Sequence, residues 1–98
     1  KVNALLNQME TVELIDRVTS ELDAWLDANP DHPLNDGSPW WANLRTRIQA
    51  MKDVAADPPA LSRAYKTLMR IIVDSGPMCD FAPSLDALGL LVEHQRRT

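Results

Sequence analysis

Apolar residues recur three and four positions apart through most of this chain, the period of amphipathic helices rather than the alternation of strands. Proline-rich breaks divide the pattern into four stretches. The first runs from about Val2 to Ala28, with Leu5, Met9, Val12, Ile15, Val18/Thr19, Leu22 and Trp25/Leu26 on one face. A heptad-like spacing drifts around a straight helix over so many turns. The pattern therefore predicts a helix that curves around its neighbours, or one broken near Glu10-Thr11 with Thr11 capping a second segment. Asn29-Pro30 closes the stretch, since asparagine tolerates a left-handed C-cap and proline cannot continue the ladder.

The later stretches carry start signals. Ser38 caps a second helix with Pro39 at its first position, where the missing N–H costs nothing. Its inner stripe is Trp41, Leu44, Ile48, Met51 and Ala55. Asp57-Pro58 repeats the device for a third helix facing inward through Leu61, Ala64, Tyr65, Leu68, Ile71 and Ile72. Gly76-Pro77 supplies its stop. Ser84 is the expected cap of a fourth, with Leu85, Leu88, Leu91, Val92 and Gln95 inward and Gly89 weakening it by about 1 kcal/mol relative to alanine. Four such helices with short connections predict an all-α fold, a small four-helix bundle.

Length allows one domain: 98 residues support a single small core. Residues 1–98 are thus read as one helical domain, and the opening Lys1 leaves room for its being a piece of a longer chain. No apolar run reaches the length of a membrane span and no basic-then-apolar leader opens the chain, so neither membrane insertion nor an intact signal peptide is expected. A single cysteine, Cys79, rules out an internal disulfide framework and leans toward the cytoplasm.

Charge adds a finer pattern. The net value is −4, which argues against nucleic acid as the default partner. Residues 1–36 carry −6, residues 37–73 carry +4 and the remainder −2. An acidic first helix lying beside basic middle helices would let these charges largely cancel. Glu13 and Arg17, four apart in the favourable order, would support the first helix.

Candidate chemistry is sparse. Asp27-x-Asn29-x-Asp31 matches the first three ligand positions of a calcium loop, but His32 stands where the turn wants glycine and Ser38 where a glutamate should close the shell. No bound metal or other cofactor is expected. Cys79 would need His32 or His94 as a base, and no motif orients either. The three glycines are scattered, so no phosphate-cradling loop exists. Arg63, Lys66 and Arg70 align on the outer face of the third helix and could touch phosphates, giving weak salt-sensitive binding. The loop from Gly76 to Ser84 is apolar enough to tuck Met78 or Phe81 over the bundle. Alternatively, with Cys79 and Asp80, it could serve a small enzyme or ligand site.

Trp40-Trp41 is the least ordinary feature. Adjacent helical rings diverge by about 100°, so the pair straddles the stripe of the second helix. A domain this small has difficulty burying three tryptophans, and tryptophan with arginine dominates interface hot spots. Trp40, Trp41, Arg45 and Arg47 are therefore the candidate partner-binding residues, with Leu14 and Leu90 projecting as an extension. In size, acidity and helical content the chain resembles small bacterial immunity and antitoxin-like inhibitors, a likeness of type that carries over no motif residue. With no nucleophile beside a base, no metal cluster and no nucleotide loop in the sequence, the leading expectation is a non-enzymatic module that binds another protein. The alternatives left open are nucleic-acid binding through the third-helix cations and a small enzyme using the 76–84 loop.

Overall fold

A computed structural model describes residues 2–33, 35–75 and 81–97, with side chains described for 8–33, 35–74 and 81–95. Four helices follow one another: α1 (Val2–Ala28), α2 (Pro39–Ala50), α3 (Pro58–Ser75) and α4 (Ser84–Arg97). A 3₁₀ turn, Met51–Val54, extends α2, and the described residues contain no strand. The fold is the small all-α four-helix bundle that the periodicity predicts, 47 × 23 × 19 Å in extent. The long dimension is set by α1, much the longest of the helices.

The core forms where the stripes meet. Ile15, Val18 and Leu22 of α1 pack with Leu44 and Ile48 of α2, Leu61 and Leu68 of α3, and Leu88 of α4, all buried. Met51 and Ala55 stay on the α2 stripe although the backbone tightens to 3₁₀ beneath them. Some positions depart from expectation. Met9 is 60% exposed instead of inward. Leu14, expected to project, packs against the core, whereas Leu90 does project. Ile71 is half-buried at the α2–α3 surface. The side chains of Leu5, Met78, Cys79 and Asp80 and the Gly76-Pro77 stop lie outside the described residues.

The helix ends are built partly as the caps suggest. Ser38 Oγ accepts from the Trp40 N–H with Pro39 next in sequence, and Asp57 Oδ1 accepts from the Ala60 N–H. Elsewhere the mechanism differs. Helix α1 is continuous through Glu10-Thr11, and Thr11 caps nothing. It is fully buried, and its hydroxyl accepts from Gln95 Nε2 of α4 at 2.9 Å. In sequence, a polar core position and a cap look alike. Asn29 closes α1 without a left-handed residue: its side-chain amide donates to the Trp25 carbonyl at 2.8 Å. Asn35 Nδ2 then donates to the Leu26 and Asn29 carbonyls. Side-chain amides thus take up carbonyls that a helix end leaves open.

The start of α4 is capped from a distance. Ser84 does not act as the acceptor. Its N–H and its hydroxyl both donate to the Glu21 carboxylate of α1, at 2.8 and 2.6 Å. A carboxylate at a helix N-terminus meets free N–H groups and the positive end of the dipole, so this contact fastens α4 to α1. At the other end of the same pair the Gln95–Thr11 bond fixes the register. Between α1 and α2, Gln49 donates to the Thr19 hydroxyl, which itself donates to the Ile15 carbonyl.

Gly89 has a reason beyond its weak helix propensity. A β-carbon there would stand 2.8 Å from Tyr65 Cζ, and the Tyr65 hydroxyl donates to the Leu85 carbonyl at 3.1 Å. The missing side chain lets the ring lie across α4. Burial pushes the Tyr65 phenol above its ordinary range, and the charge of Asp86 adds to this.

Both contacts can be tested through stability. Glu21→Ala should lower unfolding free energy by about 1–2 kcal/mol in urea titrations, and Glu21→Gln by less, because one acceptor survives. Gly89→Ala should destabilise the protein although alanine favours helix by about 1 kcal/mol. In a Tyr65→Ala background, where the space is open, the same change should stabilise by about that amount.

Candidate functional site

The tryptophans converge at the end of the bundle where α1 finishes and α2 begins. Trp41, only 6% exposed, is the hub. Its ring lies 5.4 Å from Trp25 of α1, 4.8 Å edge-to-face from Trp40 and 5.4 Å edge-to-face from Phe81 ahead of α4. His32 of the α1–α2 loop adds an edge contact to Trp25 at 5.1 Å. Such offset and perpendicular arrangements suit the ring quadrupoles. Trp41 is therefore core. Trp40 is half-buried, leaning on the cluster with one side and lining a surface cleft with the other.

That cleft separates α2 from α3. Its larger part, about 600 Å³, is lined by Trp40, Asn43, Leu44, Thr46, Arg47 and Ile71. A second part of about 250 Å³ continues it toward Met51 and Val54 on one wall and Ala64, Thr67 and Leu68 on the other. Arg47 lines both parts, so a cation stands between a larger part where Asn43 and Thr46 join the apolar walls and a smaller part that is mainly apolar. On α2 and its extension the lining residues Trp40, Asn43, Arg47, Ala50 and Val54 follow helical spacing, which is why one face forms the whole wall.

The structure separates the two candidate arginines. Arg45 grips Asp23 of α1 through Nε and a terminal nitrogen, both at 3.1 Å, and this pairing holds its guanidinium above the usual range. Lys52 likewise pairs with Asp16 of α1, and the hydrogen bond it gives keeps that carboxyl below its ordinary value. The basic middle segment thus meets the acidic first helix through named pairs. Solvent screens both contacts, so they contribute little to stability. Arg47 faces away from α1 and is exposed. The expected Glu13–Arg17 pair does not form: both are exposed, and the ion pairs seen among the described residues lie elsewhere.

The other candidates fall apart in space or lie outside the described residues. Asp27 and Asp31 are exposed while the Asn29 amide is bonded to the Trp25 carbonyl. No three of His, Cys, Asp and Glu come together as a metal would require, among the described residues. Arg63, Lys66 and Arg70 lie along α3, and Arg70 leans toward Asp74 at 3.7 Å. Tyr65, which could have offered a stacking ring, is turned into the α3–α4 seam. In the 76–84 loop, Phe81 and Ala82 are buried, as the packing reading of Phe81 expects.

No family model, curated protein or solved structure matches the chain. No described helix is long and apolar enough to cross a membrane.

Sequence pattern singles out the tryptophan pair but not Phe81, Trp25 and His32 as its companions, nor Asn43 and Ile71 as cleft walls. The spacing of 40, 43 and 47 could have found Asn43. The packing of α3 beside them is not readable from sequence. The two rings should separate in thermal and urea unfolding. Trp41→Ala should cost about 3–5 kcal/mol, comparable to Leu44→Ala or Ile48→Ala at about 2–5 kcal/mol, and Trp40→Ala well under half of that.

Proposed function

We propose that this chain is a non-enzymatic module that binds another protein, and that the partner docks in the cleft between α2 and α3. The observation that carries the reading is the composition of that cleft. An aromatic wall (Trp40), an apolar floor (Leu44 and Ile71) and a central guanidinium (Arg47) line one trough. Such a site anchors an apolar side chain and orients it by a carboxylate or carbonyl, the usual anatomy of an interface hot spot. Trp40 follows the Ser38-Pro39 cap, so its backbone is held before a partner arrives and less freedom is lost on binding. Arg45 contributes indirectly, by tying α2 to α1 through Asp23. Trp41 supports the wall from behind.

An inhibitor or adaptor of the small acidic helical type needs only a surface of this kind, and the cytoplasm is the compartment a lone cysteine suits. The acidic α1 flank would speed encounter with a basic partner at low salt.

The test is affinity capture from a native lysate, followed by binding and unfolding measurements on variants. Trp40→Ala should weaken the captured complex by at least about 2 kcal/mol, close to thirtyfold, with the fold retained. Arg47→Ala should weaken it by a smaller factor. If neither change alters the affinity, the cleft is not the docking surface.

A further inference from the structure

A second surface that no described side chain covers lies on α1. Thr11 meets Gln95 of α4 and Asp16 meets Lys52 of the 3₁₀ turn, so the part of α1 before Thr11 runs on past the end of α2 and its extension. There the 60% exposed Met9 forms, with Gln8, Val12 and Glu13, a mainly apolar shelf bordering about 390 Å³ of open space. Glu13 is exposed and pairs with no cation among the described residues, whereas Asp16, one turn further on, is taken by Lys52.

Shelf and cleft are complementary in three respects. Both offer apolar contact, Met9 and Val12 on the shelf and Trp40, Leu44 and Ile71 in the cleft. Each carries one charge that no ion pair among the described residues compensates, Glu13 on the shelf and Arg47 in the cleft, while Arg45 and Lys52 are already neutralised within the chain. The shelf is also short enough to fit. The trough from Trp40 to Val54 extends about 20 Å, and the shelf, residues 8–13 of a helix, occupies about 9 Å.

Resting on the docking reading above, we propose that the α2–α3 cleft receives the α1 shelf of a second copy of this chain. Met9 and Val12 lie on the apolar floor and Glu13 meets Arg47. Shelf and cleft are different surfaces of one molecule, so two copies either exchange both contacts in a closed two-fold dimer or join head to tail. Head-to-tail association continues beyond the dimer unless the rotation between copies closes a ring.

Sedimentation of the whole chain tests this. The mean mass should rise with concentration above that of the monomer. Arg47→Glu and Glu13→Arg should each weaken association at least about tenfold. The double variant Arg47→Glu/Glu13→Arg should recover it, because the pair is restored with its charges exchanged. Recovery also shows that neither substitution acts by unfolding the protein.

A mass that stays monomeric up to about 1 mM, the weak limit of specific association, overturns the proposal. So does a discrete dimer indifferent to Glu13. A monomeric chain whose Trp40→Ala variant still loses a captured partner removes this inference and leaves the docking reading standing.

Discussion

The packing of Trp41 is the contact on which the arrangement of this bundle depends most. One indole touches α1 through Trp25, its own helix through Trp40 and the segment entering α4 through Phe81. In a chain of 98 residues the area available for burial is small, and a large ring shared by three elements orders them together. Two consequences follow. The start of α2 is fixed twice, by its Ser38-Pro39 cap and by the ring behind it. And Trp40, having nowhere to go inside, is left standing at the mouth of the α2–α3 cleft. The candidate site is thus a by-product of how the core is closed.

Around that hub a few buried or half-buried polar contacts select one register among several that apolar stripes alone would permit. Gln95 on Thr11, Gln49 on Thr19 and Ser84 on Glu21 each join α1 to another helix at a definite level. A one-residue slip would leave these groups without partners in a poorly solvated setting, and such groups cost more unpaired than they contribute when paired. Surface charge does less. The Asp23–Arg45 and Asp16–Lys52 contacts follow the segregation of charge along the chain, and they leave Arg47 as the cation facing the cleft.

Much of the fold was legible in the sequence because the helix signals are local. Proline after a capping residue, apolar spacing of three and four, and the breaks at 29–38 and 55–57 place the helices closely. Misreadings came where one residue type has two uses. Thr11 and Ser84 look like caps, but which atoms they meet is set by α4 and α1, 84 and 63 residues away along the chain. Met9 sits in register with the stripe yet lies beyond the point where α2 and its 3₁₀ extension end, so the same spacing yields exposure. For the site, Trp40 was visible as an anomaly and Arg47 by spacing. Arg45 could not be told from Arg47 until α1 placed Asp23 beside it.

Because all three tryptophans share one end of the molecule, the optical behaviour of the protein is spatially selective. Indole emission reports the cluster formed by α1, α2 and Phe81, and it is largely blind to the Thr11–Gln95 end some helical turns away. Rings 4.8 and 5.4 Å apart also couple electronically, so circular dichroism in the aromatic bands carries a signature of the folded cluster rather than of isolated chromophores. The single tyrosine, Tyr65, sits on the α3–α4 seam, and its ultraviolet absorbance during alkaline titration reads that seam alone. The chain therefore carries two built-in reporters, one for the aromatic end and one for the packing of its last two helices.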